Sequence, residues 1–220
     1  MCYSAQNSIQ AFALNAVTST LLFFYAQNPE LKVIALTLLF VGFMQLFDWT
    51  FWTYPPPSLE NRVATKLAII FNHIQPLVFA LLVWVYLYYP NALPKKSQWL
   101  VVFYIVVAFI YTAYVWGKIE YTDKNPNGAG LLWNWNHQPG LYVMYIVFFI
   151  VLSLLILQNL TGYRRVLFLV LFTGIYIFSA IKHWVHDDVG RMWCYAINIA
   201  PAVFLLVEFL RRNNIVSLTP

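Results

Sequence analysis

Charge is scarce in this sequence. Lys, Arg, Asp and Glu make up 10% of its 220 residues, well under the roughly 25% of an ordinary soluble domain. That shortage excludes a soluble globular protein. Internal repeats, low-complexity tracts and hydrophilic linkers are also missing, which excludes a second domain of ordinary size. No Lys or Arg precedes Lys32, so the opening MCYSAQNS lacks the basic region of a secretory signal peptide, and the first apolar run is expected to stay in the protein. The last apolar run has no interior Lys, which excludes a retinal Schiff base. The net charge of +5 calls for no nucleic-acid partner, because the basic residues flank apolar runs, where anionic lipid headgroups attract them.

What is present is apolar. Hydrophobic residues account for 61% of the chain and aromatics for 19%. Crossing a bilayer takes about 20 apolar residues per helix, and seven runs qualify: Ser8–Gln27, Leu31–Thr53, Arg62–Tyr89, Trp99–Gly117, Leu141–Leu160, Arg164–Val185 and Met192–Arg211. These predict an all-α, polytopic integral membrane protein, residues 1–220 forming one seven-helix domain among membrane lipids. Seven of the 13 basic residues fall in connections on the C-terminal side: Lys32, Lys95, Lys96, Arg164, Arg165, Arg211 and Arg212. By the positive-inside rule the N-terminus is expected outside or lumenal and the C-terminus cytoplasmic.

Polar residues inside the runs gather in one half of the bundle. Asp48 sits about 10 Å in from the Pro55–Pro57 break, and Asn72, His73 and Gln75 about 15–20 Å from the Arg62 end of the third run, at 1.5 Å per residue. His183 and His186 close the sixth run, Cys194 opens the seventh, His137 precedes the fifth and Cys2 precedes the first. Helical phase sorts them into stripes: Ser179, His183, His186 and Asp187; Gly42, Gln45, Asp48 and Trp52; Cys194, Asn198 and Pro201. Such stripes should face the bundle interior, where a carboxylate, amide or imidazole finds partners that lipid cannot offer. Toward the other face polar residues thin out, which favours a one-sided site.

Several chemistries fit this constellation. His183 and His186 at i, i+3 present two imidazoles on one side of a helix, enough for a transition metal, zinc foremost, if His73 or Asp48 completes the set. Metal-bound water would then attack a lipid amide or ester, with Asp48 positioning it or acting as base, and Ser179 and Asp187 close by. Alternatively Asp48, His73, Asn72 and Gln75 form a proton or cation relay, as intramembrane carboxylates and imidazoles do. A third class is a receptor or accessory subunit, with the Tyr114–Gly140 connection as lid or docking loop. Bland readings stand beside these. Asp48 pairs with a Trp N–H or a His; His73 before Pro76 marks a helix kink; Asp187 and Asp188 are helix-end charges; Trp133, Trp135 and the tyrosines form an interfacial aromatic belt. Cys2 and Cys194 either make a disulfide or leave a thiol for ligation or attack. Glu208, four residues before Arg212, reads as an ion pair at the opposite end.

The segments MCYSAQNS, GFMQLFDWTFW, HIQPLVF and RMWCYAINIAP resemble an uncharacterised family of small polytopic membrane proteins. Its members open Met-Cys-aromatic-Ser-Ala-x-x-Ser, carry Gln-x-x-acid and Trp on the second helix, and end with Trp-Cys-aromatic on the last. The resemblance implies site positions at Cys2, Ser4, Ser8, Gln45, Asp48, Gln75, Pro76, Trp193 and Cys194, and no activity. Asp48 stands where members often have Glu. A fainter likeness, of site chemistry alone, joins Ser179-x-x-x-His183, Asp48 and His186 to the seven-helix amide hydrolases of the alkaline ceramidase and adiponectin-receptor group. There the His pair is spaced HxxxH and lies on the last helix.

Overall fold

A computed structural model describes residues 4–124, 130–183 and 189–216, the side chains of 182 and 183 excepted. Its helices are α1 (Ala5–Tyr25), α2 (Pro29–Thr53), α3 (Leu59–Val83, continued by a π-helical turn Trp84–Tyr88), α4 (Lys95–Trp116), α5 (Leu141–Asn159), α6 (Gly162–His183), α7 (Val189–Ala196) and α8 (Ala200–Arg212). The 3-10 turn Ile197–Ile199 joins α7 to α8, so the two form one broken span, Val189–Arg212. Among the described residues seven helices are thus long and apolar enough to cross a membrane. The chain is an all-α, multi-pass membrane protein.

The first three helices begin two or three residues before the apolar runs do, because their first turns are polar and capped. Ser4 Oγ accepts from Asn7 N at 3.2 Å, Asn28 Oδ1 from Glu30 N at 2.7 Å, and Ser58 Oγ from Asn61 N at 3.3 Å. Each cap satisfies an amide that the helix itself leaves unpaired. Large apolar side chains such as Phe24, Phe109, Val170 and Ile181 point outward and exposed, as a lipid-facing surface requires.

Small polar groups hold α1 to α2. Asn15 Nδ2 donates to the Leu38 carbonyl at 3.0 Å, and Ser19 Oγ donates to Asn15 Oδ1 at 3.2 Å. The approach needs Gly42, since a Cβ there would lie 2.8 Å from the Asn15 side chain. Lipid removes the usual hydrophobic drive between helices, so close packing and interhelical hydrogen bonds take its place.

The end of the bundle away from the N-terminus is closed by two carboxylates that gather arginines and hydroxyls. Glu30 accepts from Arg164 Nε at 2.7 Å and from the Thr161 amide and hydroxyl at 3.1 and 2.8 Å, tying α2 to the α5–α6 turn. Glu208 accepts from Tyr163, Arg211 and Arg212, all at 2.8 Å, so the expected pair with Arg212 is part of a larger cluster. Asn159 lies between these groups, buried, its amide donating to Ser97 Oγ and the Leu155 carbonyl. Asn159 and Thr161, the ends of an Asn-x-Thr sequon, are thus both engaged in hydrogen bonds in the folded chain.

Candidate functional site

At the opposite end, α2 carries Gln45, Asp48 and Phe51 into the interior, and Asp48 is fully buried. Its partner comes from far along the chain: the Trp133 indole N–H donates to Asp48 Oδ1 at 2.8 Å. Trp133 belongs to the connection between α4 and α5, which folds over this end as a two-residue ladder, Asp123–Lys124 against Leu131–Leu132, and the 3-10 turn Asn134–His137. Trp133 stacks on Trp135 with centroids 5.0 Å apart, and both are buried. They form no interfacial belt. A carboxylate without water draws in the nearest strong donor, and the loop supplies one.

The loop is pinned on three sides. Asn61 acts as a surrogate backbone, its amide donating to the Tyr54 and Thr122 carbonyls and its oxygen accepting from Thr122 N, all at 3.0 Å. Tyr111 donates to the Trp135 carbonyl at 3.2 Å, and Tyr145 to Asn136 Oδ1 at 2.8 Å. Gly130, at φ +139°, lies flat against the Arg191 guanidinium, where any Cβ would overlap it. A side chain at Gly130 is excluded twice, by backbone angle and by space.

On α3 the polar residues diverge. Asn72 donates to Tyr145 Oη at 3.3 Å, joining the loop network, while Gln75 approaches the Cys194 thiol, which also lies within electrostatic range of Asp48. His73 turns the other way, its Nδ1 3.0 Å from Thr112 Oγ1 and its ring edge-on to Tyr111. Residues two apart on a helix of 3.6 residues per turn point to nearly opposite sides, so His73 and Gln75 do not share a pocket. The expected grouping of His73 with Asp48 is not formed. Pro76 lies inside α3, and the Tyr104 hydroxyl donates to the His73 carbonyl at 2.7 Å.

Cys194 is a free, buried thiol on α7. One turn on, Asn198 sits in the 3-10 break and donates to the Cys194 and Tyr195 carbonyls. That turn packs on α1 and α2, the helices that carry Ser8 and Asp48. Several buried polar atoms there find no hydrogen-bond partner among the described residues: Ser8 Oγ, Trp52 Nε1, Asn198 Oδ1 and, apart from the thiol it approaches, the whole Gln75 amide. Buried polar groups are satisfied by protein or by ordered water in nearly all native structures.

Other expected residues fall elsewhere. Ser179 is buried on α6, and His137 is exposed on the 3-10 turn. Cys2, His186 and Asp187 lie outside the described residues, as does the side chain of His183. Among the described residues no group of three His, Cys, Asp or Glu is placed to hold a metal ion. Asn61, Asn136, Tyr145 and Arg191 were not singled out by sequence. Arg191 is a charged residue buried at 1% exposure.

A narrow crevice of about 40 Å³, lined by Asn136, Tyr142, Tyr145, Tyr176 and Gly190, lies on the flank beside the Asn72–Tyr145–Asn136 network. Gly190 keeps it open, since a Cβ there would stand 2.7 Å from Tyr145 Oη. Gln45, Asp48, Gln75, Trp193 and Cys194, the interior positions behind the family resemblance, are all buried. Compared with known proteins, the chain matches no family model, no curated protein and no solved structure.

Proposed function

We propose that the chain binds and moves a small cation, a proton or a hard metal cation, with Asp48 as the charged group of the site. One observation carries this reading: a fully buried carboxylate shares its half of the bundle with uncommitted side-chain oxygens of Ser8, Gln75 and Asn198, at the point where the seventh span breaks. Hard cations take oxygen ligands, and broken transmembrane helices are where transporters place their coupling ions. The polar line does not stop at the site. Ser8, Asn15 and Ser19 form a buried stripe along α1, and Thr37 is buried on α2, which supports a route deeper than a one-sided pocket.

Purified protein in liposomes carrying a pH- or sodium-sensitive dye tests this. Flux driven by an imposed gradient is expected from the wild type and lost in Asp48→Asn. Equal flux from both, or none from either, overturns the reading.

Metal-dependent hydrolysis of a lipid amide or ester has one supporting observation, two small neighbouring cavities that share Tyr145, Tyr176 and Gly190 and are lined by Asn136 and Asn72. A zinc ion held by His183, His186 and a third ligand would supply the nucleophilic water. Near-stoichiometric zinc in chelator-free preparations, lost in His183→Ala, is its required result. In either reading the N-terminus faces outside or the lumen and the C-terminus the cytoplasm, supported by the positive-inside bias. Protease protection of a tag placed after Asn214 in sealed vesicles tests that orientation.

A further inference from the structure

A second feature lies at the other end of the bundle, on the lipid-facing side. Between the last turns of α1 and α8 runs an apolar groove of about 430 Å³, lined by Leu21, Tyr25, Ala202, Leu205, Leu206 and Phe209. It extends about 10 Å along α8, at 1.5 Å per residue from Ala202 to Phe209. Its mouth is basic. The Arg212 guanidinium sits 4.3 Å over the Tyr25 ring, and Arg211 stands beside it.

The charges at this mouth do not cancel. Among the described residues Glu208 is the acid that meets these arginines, and its two oxygens are shared by Arg211 Nε and Nη2, Arg212 Nε and the Tyr163 hydroxyl. Two guanidiniums against one carboxylate leave one positive charge. After meeting Glu208, the Arg211 and Arg212 side chains remain 36% and 22% exposed. Partly exposed guanidiniums beside an apolar groove call for an anionic oxygen attached to an apolar tail.

We propose that this groove is a binding site for one anionic phospholipid, its acyl chain lying along Leu21, Leu205 and Leu206 and its phosphate accepting from Arg212. Annular lipid needs only an apolar surface. This site adds a shaped trough and a directed donor, so it discriminates by headgroup charge.

The test is thermal unfolding in neutral detergent with added phosphatidylglycerol, phosphatidylcholine of the same acyl chains, or inorganic phosphate. Phosphatidylglycerol is expected to raise the Tm by several degrees, and the other two not to. Arg212→Gln should abolish the increment, and so should Ala202→Phe, which fills the groove and leaves the arginine in place. Lys96→Gln, an exposed lysine remote from the groove, should keep it. If Arg212→Gln does not fold, Ala202→Phe decides alone. An equal rise with phosphatidylcholine, a rise with phosphate alone, or an increment that survives Ala202→Phe overturns the proposal.

Discussion

The two ends of the bundle both bury acids, and they treat them differently. Around Glu30 and Glu208 each carboxylate oxygen is met by an arginine, a hydroxyl or an amide. Around Asp48 the Trp133 indole N–H donates to one carboxylate oxygen, and in the same half of the bundle Ser8 and Asn198 keep a side-chain oxygen without a hydrogen-bond partner among the described residues. Folding alone favours the first arrangement, because an unmet buried polar group costs stability. A site that must take up and release something favours the second. The difference separates the clamps of this fold from its working part.

Substitutions can break that contrast, and the largest effect should come at the clamp. Glu30→Ala strands Arg164, whose side chain is 6% exposed, and removing one partner of a buried pair costs about 3–5 kcal/mol. Chemical denaturation in detergent should show that loss, with little effect on flux among molecules that remain folded. Next is Gly42→Val, which drives a side chain into Asn15. Overpacking of this kind costs about 1–3 kcal/mol, read as a lower Tm and a weakened α1–α2 contact in hydrogen exchange. Trp133→Phe keeps the ring but removes the donor to Asp48, at a cost of about 1.5–3 kcal/mol for a charge-assisted bond. If the loop restrains the acid, this variant should also change the rate of flux, and an unaltered rate would make Trp133 purely structural. The smallest stability effect is expected of Gln75→Leu. Replacing an uncommitted buried amide by an apolar group of similar volume should leave stability within about 0.5 kcal/mol or raise it, while flux falls. A large destabilisation would show that the amide is a clamp after all.

Some of this was legible without coordinates. Seven runs of about 20 apolar residues correspond to the seven spans to within a few residues at each end, and the shifts at the first three starts come from Ser4, Asn28 and Ser58, polar caps that an apolar count passes over. Placing Asp48, Gln75, Cys194 and Asn198 in one half followed from rise and direction alone. Direction around the helix axis was harder. His73 and Gln75 sit two positions apart, and only packing against α4 and α7 decides which neighbour each meets.

Nothing in residues 117–140 announces that Trp133 reaches back 85 positions to Asp48, or that Asn61 pairs with Thr122 as a strand would. Composition and hydropathy are sums over neighbours in the chain, so they determined that the protein lies in a membrane, how often it crosses and at what depth its polar groups stand. Partnership is a matter of distance and angle between residues remote in sequence. The tertiary structure alone decided that the tryptophan on Asp48 is Trp133, that Arg191 is buried under a glycine, and that the clusters around Glu30 and Glu208 close the end of the bundle away from Asp48.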